Sequence, residues 1–193
     1  MQGVLPDQGT LGGNLMKKML LAMMMALAIV SAVHAETLTD YLPGHSPDAK
    51  NVRFALTDGV LSMEFGPGNG FASRAWMRRY HPLLNAGEKL RLSMMVKTTD
   101  ISDPRAKVGF LVQAMGENHR YLGSANYTKY FPAVDFAEQW KPMEFIFTMP
   151  DPNKVPSWKD GVELMITFEA LAQEGKAEFK DFKAEKLAVA AED

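Results

Sequence analysis

Cysteine is absent from the 193 residues. That removes thiol nucleophiles, cysteine-ligated zinc, iron–sulfur clusters and a lipid-modified cysteine behind a leader. Histidine is scarce, at four, and no H-E-x-x-H or G-x-S-x-G run occurs, so the common signatures of zinc hydrolysis and serine catalysis are missing. An excess of one charge is missing as well. The 21 Lys and Arg stand against 23 Asp and Glu, a net charge of −2, and nothing draws the chain to a phosphate backbone, which argues against a nucleic-acid partner. Long hydrophobic runs are limited to one, between Met19 and Val33. What is present is a composition 47% hydrophobic. A chain of this size buries about 70% of its unfolded surface, and this composition can supply that core, which argues against disorder.

The single apolar run belongs to an address. Residues 16–35 read MKKMLLAMMMALAIVSAVHA: two lysines, an uncharged apolar stretch, then Val33-His34-Ala35 with small residues at both ends. This is the pattern of a secretory signal peptide cleaved after Ala35. A membrane anchor needs about 20 apolar residues, and here Glu36, Thr37, Thr39 and Asp40 follow at once, so no membrane span is expected after cleavage. Residues 1–15 sit awkwardly ahead of Met16-Lys17-Lys18 and read as a mis-assigned upstream extension. Cleavage removes two lysines and one aspartate, leaving a mildly acidic domain, residues 36–193. Export without disulfides points to the bacterial periplasm or outer surface.

From Asn51 onward the chain alternates with period 2 between turn residues, which predicts an antiparallel β-sandwich of jelly-roll type. Val60 to Phe65 sets Leu61, Met63 and Phe65 inward. Lys89 to Thr98 does so with Leu90, Leu92, Met94 and Val96, and Lys107 to Met115 with Val108, Phe110, Val112 and Ala114. Met143 to Met149 and Val162 to Phe168 repeat the pattern, each predicted as a strand buried on one face. Single helical turns are expected at Pro132 to Glu138 and near Glu169 to Gln173. In the last segment, Ala177 to Leu187, Phe179 and Phe182 are three apart. That spacing fits either a strand with a bulge near Lys180-Asp181 or a short helix. The tail from Ala188 to Asp193 is expected to fray.

Three segments in order, Leu83 to Lys97 (LLNAGEKLRLSMMVK), Trp140 to Pro150 (WKPMEFIFTMP) and Gly175 to Leu187 (GKAEFKDFKAEKL), resemble the family 4/9 type of carbohydrate-binding module, a galactose-binding-like β-sandwich. The resemblance spans roughly residues 50–187 and implies a non-catalytic domain that recognises a glycan or polysaccharide. It also implies that Trp140 is a core residue. The family's Asn-rich opening is absent, with Glu36 to Ala49 in its place. Its closing acid pair is Lys180-Asp181 here, which leaves Asp181 as the one residue to hold a structural calcium and weighs against that ion. No other cofactor is implied.

Sugar recognition needs aromatic faces and planar polar groups. Arg74, Trp76, Arg78 and Tyr80 share parity on one predicted strand; the plainer alternative is that Trp76 fills the core between solvated arginines. Arginine beside aromatic rings suits an acidic or sulfated glycan. A second cluster, Tyr121, Tyr127, Tyr130 and Phe131 around Asn126 and Lys129, lies in a loop-prone region. From it Asn126, Tyr127 and Tyr130 join the predicted binding residues, the alternative being tyrosines that cap a sandwich edge. Trp158 falls in a loop and cannot be placed. Two other functions fit the same fold. One is an envelope assembly protein using the sandwich for protein contacts. The other is a jelly-roll polysaccharide lyase, for which Arg74, Arg78, Tyr80 and His81 are the right chemical types.

Overall fold

The computed structural model of this chain describes residues 41–70, 73–123 and 126–188. The chain divides into two units, Met1–Ala35 and Glu36–Asp193, and every described residue belongs to the second. The predicted upstream extension, the signal peptide with its cleavage point, and residues 189–193 of the tail lie outside the described residues.

The domain is a jelly-roll-type sandwich of two antiparallel sheets. One contains β1 (Leu42–His45), β4 (Arg74–Pro82), β10 (Glu163–Leu171), β6 (Lys107–Gly116) and β7 (Arg120–Tyr121) in that order, with β8 (Tyr127–Pro132) also paired to β6. The other runs β2 (Val52–Thr57), β3 (Val60–Phe65), β11 (Gly175–Leu187), β5 (Lys89–Thr99), β9 (Lys141–Thr148). Alternation builds the core directly. Along β5 every second residue from Leu90 to Thr98 is buried, because successive side chains leave opposite faces of a pleated strand. The inward faces meet as aromatic contacts between sheets: Phe110 of β6 against Phe145 of β9 at 6.5 Å, and Phe168 of β10 against Phe182 of β11 at 4.7 Å. Met63, Met77 and Met143 fill the spaces around them, each at most 1% exposed, a use suited to an unbranched, adaptable side chain.

The segment Ala177 to Leu187 is a strand, part of β11. The β11–β5 register shifts between Lys180 and Lys183, and Asp181 sits there with φ 55°. The bulge brings Phe179 and Phe182 to the same side despite their odd spacing. Ala133–Phe136 forms the expected single turn.

Three expectations are corrected, and Trp158, which the sequence left unplaced, finds its place. Glu169 to Gln173 is no turn, because β10 continues through Leu171. The loop-prone region after Gly116 instead supplies β7 and β8, held by pairing to β6. Trp158 belongs to the core at 2% exposure, against Tyr127 and Phe147 at 5.3 and 5.7 Å. Trp140 is half-buried beside the five-stranded sheet, with Lys180 Nζ 4.4 Å and Lys97 Nζ 5.3 Å from its ring centre. There the indole shields lysine stems and draws their charges by cation–π attraction.

β6 and β10 are buried on both faces. Leu111, Gln113 and Met115 on β6 and Met165, Thr167 and Glu169 on β10 are at most 8% exposed, although they point away from the core. Alternation cannot distinguish such a strand from a half-buried one when its outer residues are mixed. Something must cover that outer face, and the covering side chains are what make it chemically distinctive. Among the described residues no helix is long and apolar enough to cross a membrane.

Candidate functional site

The outer face of the six-stranded sheet is read row by row from its register, since residues directly opposite one another share a face. One row runs Gly44, Trp76, Glu169, Gly109, Tyr130 across β1, β4, β10, β6 and β8; the next runs Leu42, Arg78, Thr167, Leu111, Thr128. Beyond them Tyr80 stands opposite Met165, and Met165 opposite Gln113. The Gln113 amide donates to Asn126 Oδ1 at 2.6 Å.

The first row owes its shape to two glycines. A Cβ on Gly44 would stand 2.4 Å from Trp76 Nε1, and one on Gly109 would stand 2.7 Å from Tyr130 Cδ1. Both rings therefore lie down over glycine and cover the sheet. Trp76 and Tyr130 are separated by three strand spacings, about 14 Å. Between them Glu169, 3% exposed, accepts a hydrogen bond from the Tyr130 hydroxyl and pairs with Arg74 Nε at 3.7 Å. Such a carboxylate is tolerated in a desolvated position because it is paired. Burial raises the Tyr130 hydroxyl far above its ordinary pKa, and the bond to Glu169 raises it further. It stays a neutral donor.

The second row holds two polar atoms without a partner. Arg78 Nε and Thr167 Oγ1 are buried and make no hydrogen bond, and the two residues are direct cross-strand neighbours. An unmade hydrogen bond at a buried polar group costs about 1–3 kcal/mol. The Arg78 guanidinium carbon lies 4.9 Å from the Trp76 ring centre.

At the far end the turn Glu117–His119 folds back, with Asn118 and His119 at φ 55° and 57°. His119 stacks on Tyr80 with centroids 3.9 Å apart and planes at 19°, while its Nδ1 meets Glu163 Oε1 at 2.5 Å. Two consecutive left-handed residues, neither a glycine, mark a strained turn that closes this end of the face. Burial first, and then the charge of Glu163, raise the Tyr80 pKa against the opposing charge of Arg78.

Six of the seven predicted binding residues, Arg74, Trp76, Arg78, Tyr80, Asn126 and Tyr130, occupy this one face. Tyr127 turns the other way. Its ring packs edge-on against Phe147 and Trp158, so the expectation that it binds is corrected: three residues from Tyr130 on a strand, it takes the opposite parity. Glu169, Gln113, Thr167 and His119 were not singled out. The alternation from Val162 already set Glu163, Met165 and Thr167 on an outward side, but only the register shows that Arg78 stands across from Thr167.

A further concavity lies elsewhere. It is an open groove of about 830 Å³ at one end of the sandwich, with Glu64, Asp100, Glu138, Glu174 and Lys176 in its wall. Its one aromatic, Phe65, is 2% exposed, so it offers no stacking surface. Asp181 is exposed at the bulge, and no group of three His, Asp or Glu able to hold a metal occurs among the described residues.

No protein-family model and no curated protein matches the chain. Solved structures do. The enzymatically active domain of a bacteriophage CBA120 tailspike protein superposes with TM-score 0.54 at 9% identity, over 79% of this chain. The chain spans 20% of that tailspike. A family 4 carbohydrate-binding module gives TM-score 0.50 at 16% identity, over 76% of this chain and 86% of the module. A proposed sugar-binding protein of Bacteroides thetaiotaomicron gives 0.50 at 8% identity, over 79% and 90%. The chain thus has the β-sandwich fold that carbohydrate-binding modules have.

Proposed function

We propose that this protein is an exported, non-catalytic glycan-binding domain whose site is the outer face of the six-stranded sheet. The observation that carries the reading is the row in which Trp76 and Tyr130 lie flat over Gly44 and Gly109, flanked by Arg74, Arg78, Gln113 and Asn126. A sugar offers an apolar ring face for the aromatics and hydroxyls for the planar polar groups, and this surface presents both. Two of the structural neighbours, by their descriptions a carbohydrate-binding module and a proposed sugar-binding protein, support the same reading.

Tyr80 is poorly suited to serve as the base of a lyase. A base that abstracts a proton must itself be unprotonated near neutral pH, whereas burial and Glu163 hold the Tyr80 hydroxyl in its neutral form. A protein-binding face is also less well supported. The exposed large apolar residues Leu42, Tyr121, Val134, Ile146 and Val162 come from five different segments.

The test is a glycan array with the intact protein and two variants. Trp76→Ala is expected to lose binding and Trp140→Ala, on the other sheet, to keep it; the reverse pattern would refute the site. Export is tested by N-terminal sequencing of protein recovered from a bacterial periplasm, where a mature start at Glu36 is expected.

A further inference from the structure

The rows beside Trp76 carry more than a generic sugar surface. Both carboxylates of this face have partners: Glu169 has Arg74 and the Tyr130 hydroxyl, and Glu163 has His119. Arg78 has none. It forms no ion pair among the described residues, its Nε makes no hydrogen bond, and its guanidinium rests on the Trp76 ring at 4.9 Å. Thr167, 2% exposed, stands across from it with a hydroxyl that is also unpartnered. Lys107 adds a further positive charge on the same face, opposite Leu171.

We propose that the site selects anionic sugars, carboxylated or sulfated, and that Arg78 with Thr167 is the element that reads the anion. This rests on the reading of the face as a glycan site and goes beyond it by naming the ligand class. The reason lies in what binding must displace. Any ring that stacks on Trp76 has to move the Arg78 guanidinium off the indole, which gives up a cation–π contact. With a neutral sugar the displaced guanidinium gains only ordinary hydrogen bonds. An anionic substituent gives it a fork-matched partner, and charge-assisted bonds of this kind are about twice as strong as neutral ones. The unpartnered Thr167 hydroxyl then donates to the same oxyanion. Neutral ligands thus lose a contact that anionic ones replace.

The experiment compares polygalacturonate with its carboxyl-reduced form, and dextran sulfate with dextran, by titration calorimetry on the intact protein. Arg78→Gln, Arg78→Lys and Trp76→Ala are measured alongside, each checked for an unchanged melting profile. At least one anionic polymer is expected to bind about tenfold or more tighter than its neutral counterpart, with affinity falling as salt rises. The two pairs separate carboxylate from sulfate. Arg78→Gln is expected to erase the preference by weakening anionic-polymer binding far more than neutral-polymer binding, and Arg78→Lys to keep only part of it, because an ammonium lacks the fork. Equal binding of charged and neutral forms, with Trp76→Ala abolishing both, would overturn the anion preference and leave the glycan site standing. An anion preference that survives Arg78→Gln would overturn the role of Arg78. Failure of all four polymers to bind, or binding indifferent to Trp76→Ala, would overturn the glycan site and this inference with it.

Discussion

Replacing Gly109 by alanine tests the architecture of the face more sharply than removing any of its large side chains. The added methyl would sit 2.3 Å from the carbonyl oxygen of Lys129, 2.7 Å from Tyr130 Cδ1 and 3.0 Å from Tyr130 Cα. The ring could swing away, but the first obstacle is backbone, so β8 itself has to retreat from β6. Overpacking of this kind costs about 1–3 kcal/mol. If the retreat also carries the Tyr130 hydroxyl away from Glu169, a further 1.5–3 kcal/mol or so is lost, the range for a hydrogen bond to a charged group. The sum, about 2.5–6 kcal/mol, is a large share of the roughly 5–15 kcal/mol that holds a domain folded. At about 2–4 °C per kcal/mol for a domain of this size, Gly109→Ala should melt about 10 °C below the parent in a thermal scan followed by circular dichroism. Gly70→Ala is the control, since a Cβ there meets nothing within 4 Å. A Gly109→Ala protein melting within about 2 °C of the parent would refute the claim that the bare backbone at Gly109 is what lets β8 and Tyr130 lie against the sheet.

The Tyr130 hydroxyl is raised above its ordinary value near 10, first by burial and then by Glu169. It therefore ionises more easily unfolded than folded, and its contribution to stability is intact below that value and lost as pH rises beyond it. Denaturant titrations should show the parent weakening above pH 10 and Tyr130→Phe weakening less. Glu88 behaves oppositely. Hydrogen bonds from Lys186 and then Asn85 hold its carboxyl at about 2, so its contribution is present above the ordinary carboxylate value and lost as pH falls towards 2. Acid titration of Lys186→Met should show a shallower loss of stability between pH 4.5 and 2 than the parent. Trp158→Ala removes a ring packed against both Tyr127 and Phe147; a loss of about 3–5 kcal/mol is expected in equilibrium unfolding, and a loss under 1 kcal/mol would show that the loop carrying it is dispensable.

Most strands were legible because their residues obey a local rule. Leu90, Leu92, Met94 and Val96 had one buried face available and took it. The odd spacing of Phe179 and Phe182 was enough to place a bulge within a residue of where Asp181 makes it. What stayed hidden depended on partners distant in sequence. Trp140 is not the core residue expected and Trp158, which the sequence could not place, is, since a tryptophan's burial is decided by what arrives above it: lysines of β5 and β11 in one case, Tyr127 and Phe147 in the other. Glu169 read as part of a turn because a carboxylate in the middle of a strand is unfavourable until Tyr130 and Arg74 meet it there. Parity grouped Arg74, Trp76, Arg78 and Tyr80 correctly, but it could not reveal that Gly44 and Gly109 make room for the two flat rings.

The order in which strands fill the sheets carries a consequence for how this chain must fold. The two strands that come last are central ones: β10 lies between β4 and β6, and β11 between β3 and β5. Until residues 163–187 are available, neither sheet has its middle, and the inner edges of β4, β6, β3 and β5 stand open. Such pairings join residues some 50 to 120 positions apart in the chain, so loop closure precedes each of these contacts and folding belongs to the slow, non-local class. On the ribosome, or behind a translocation pore, the part of the domain that precedes residue 163 has no closed sheet to settle into and exposes ready templates for wrong pairings. A chaperone or a simple delay is most useful in that interval, which ends when residues 163–187 arrive.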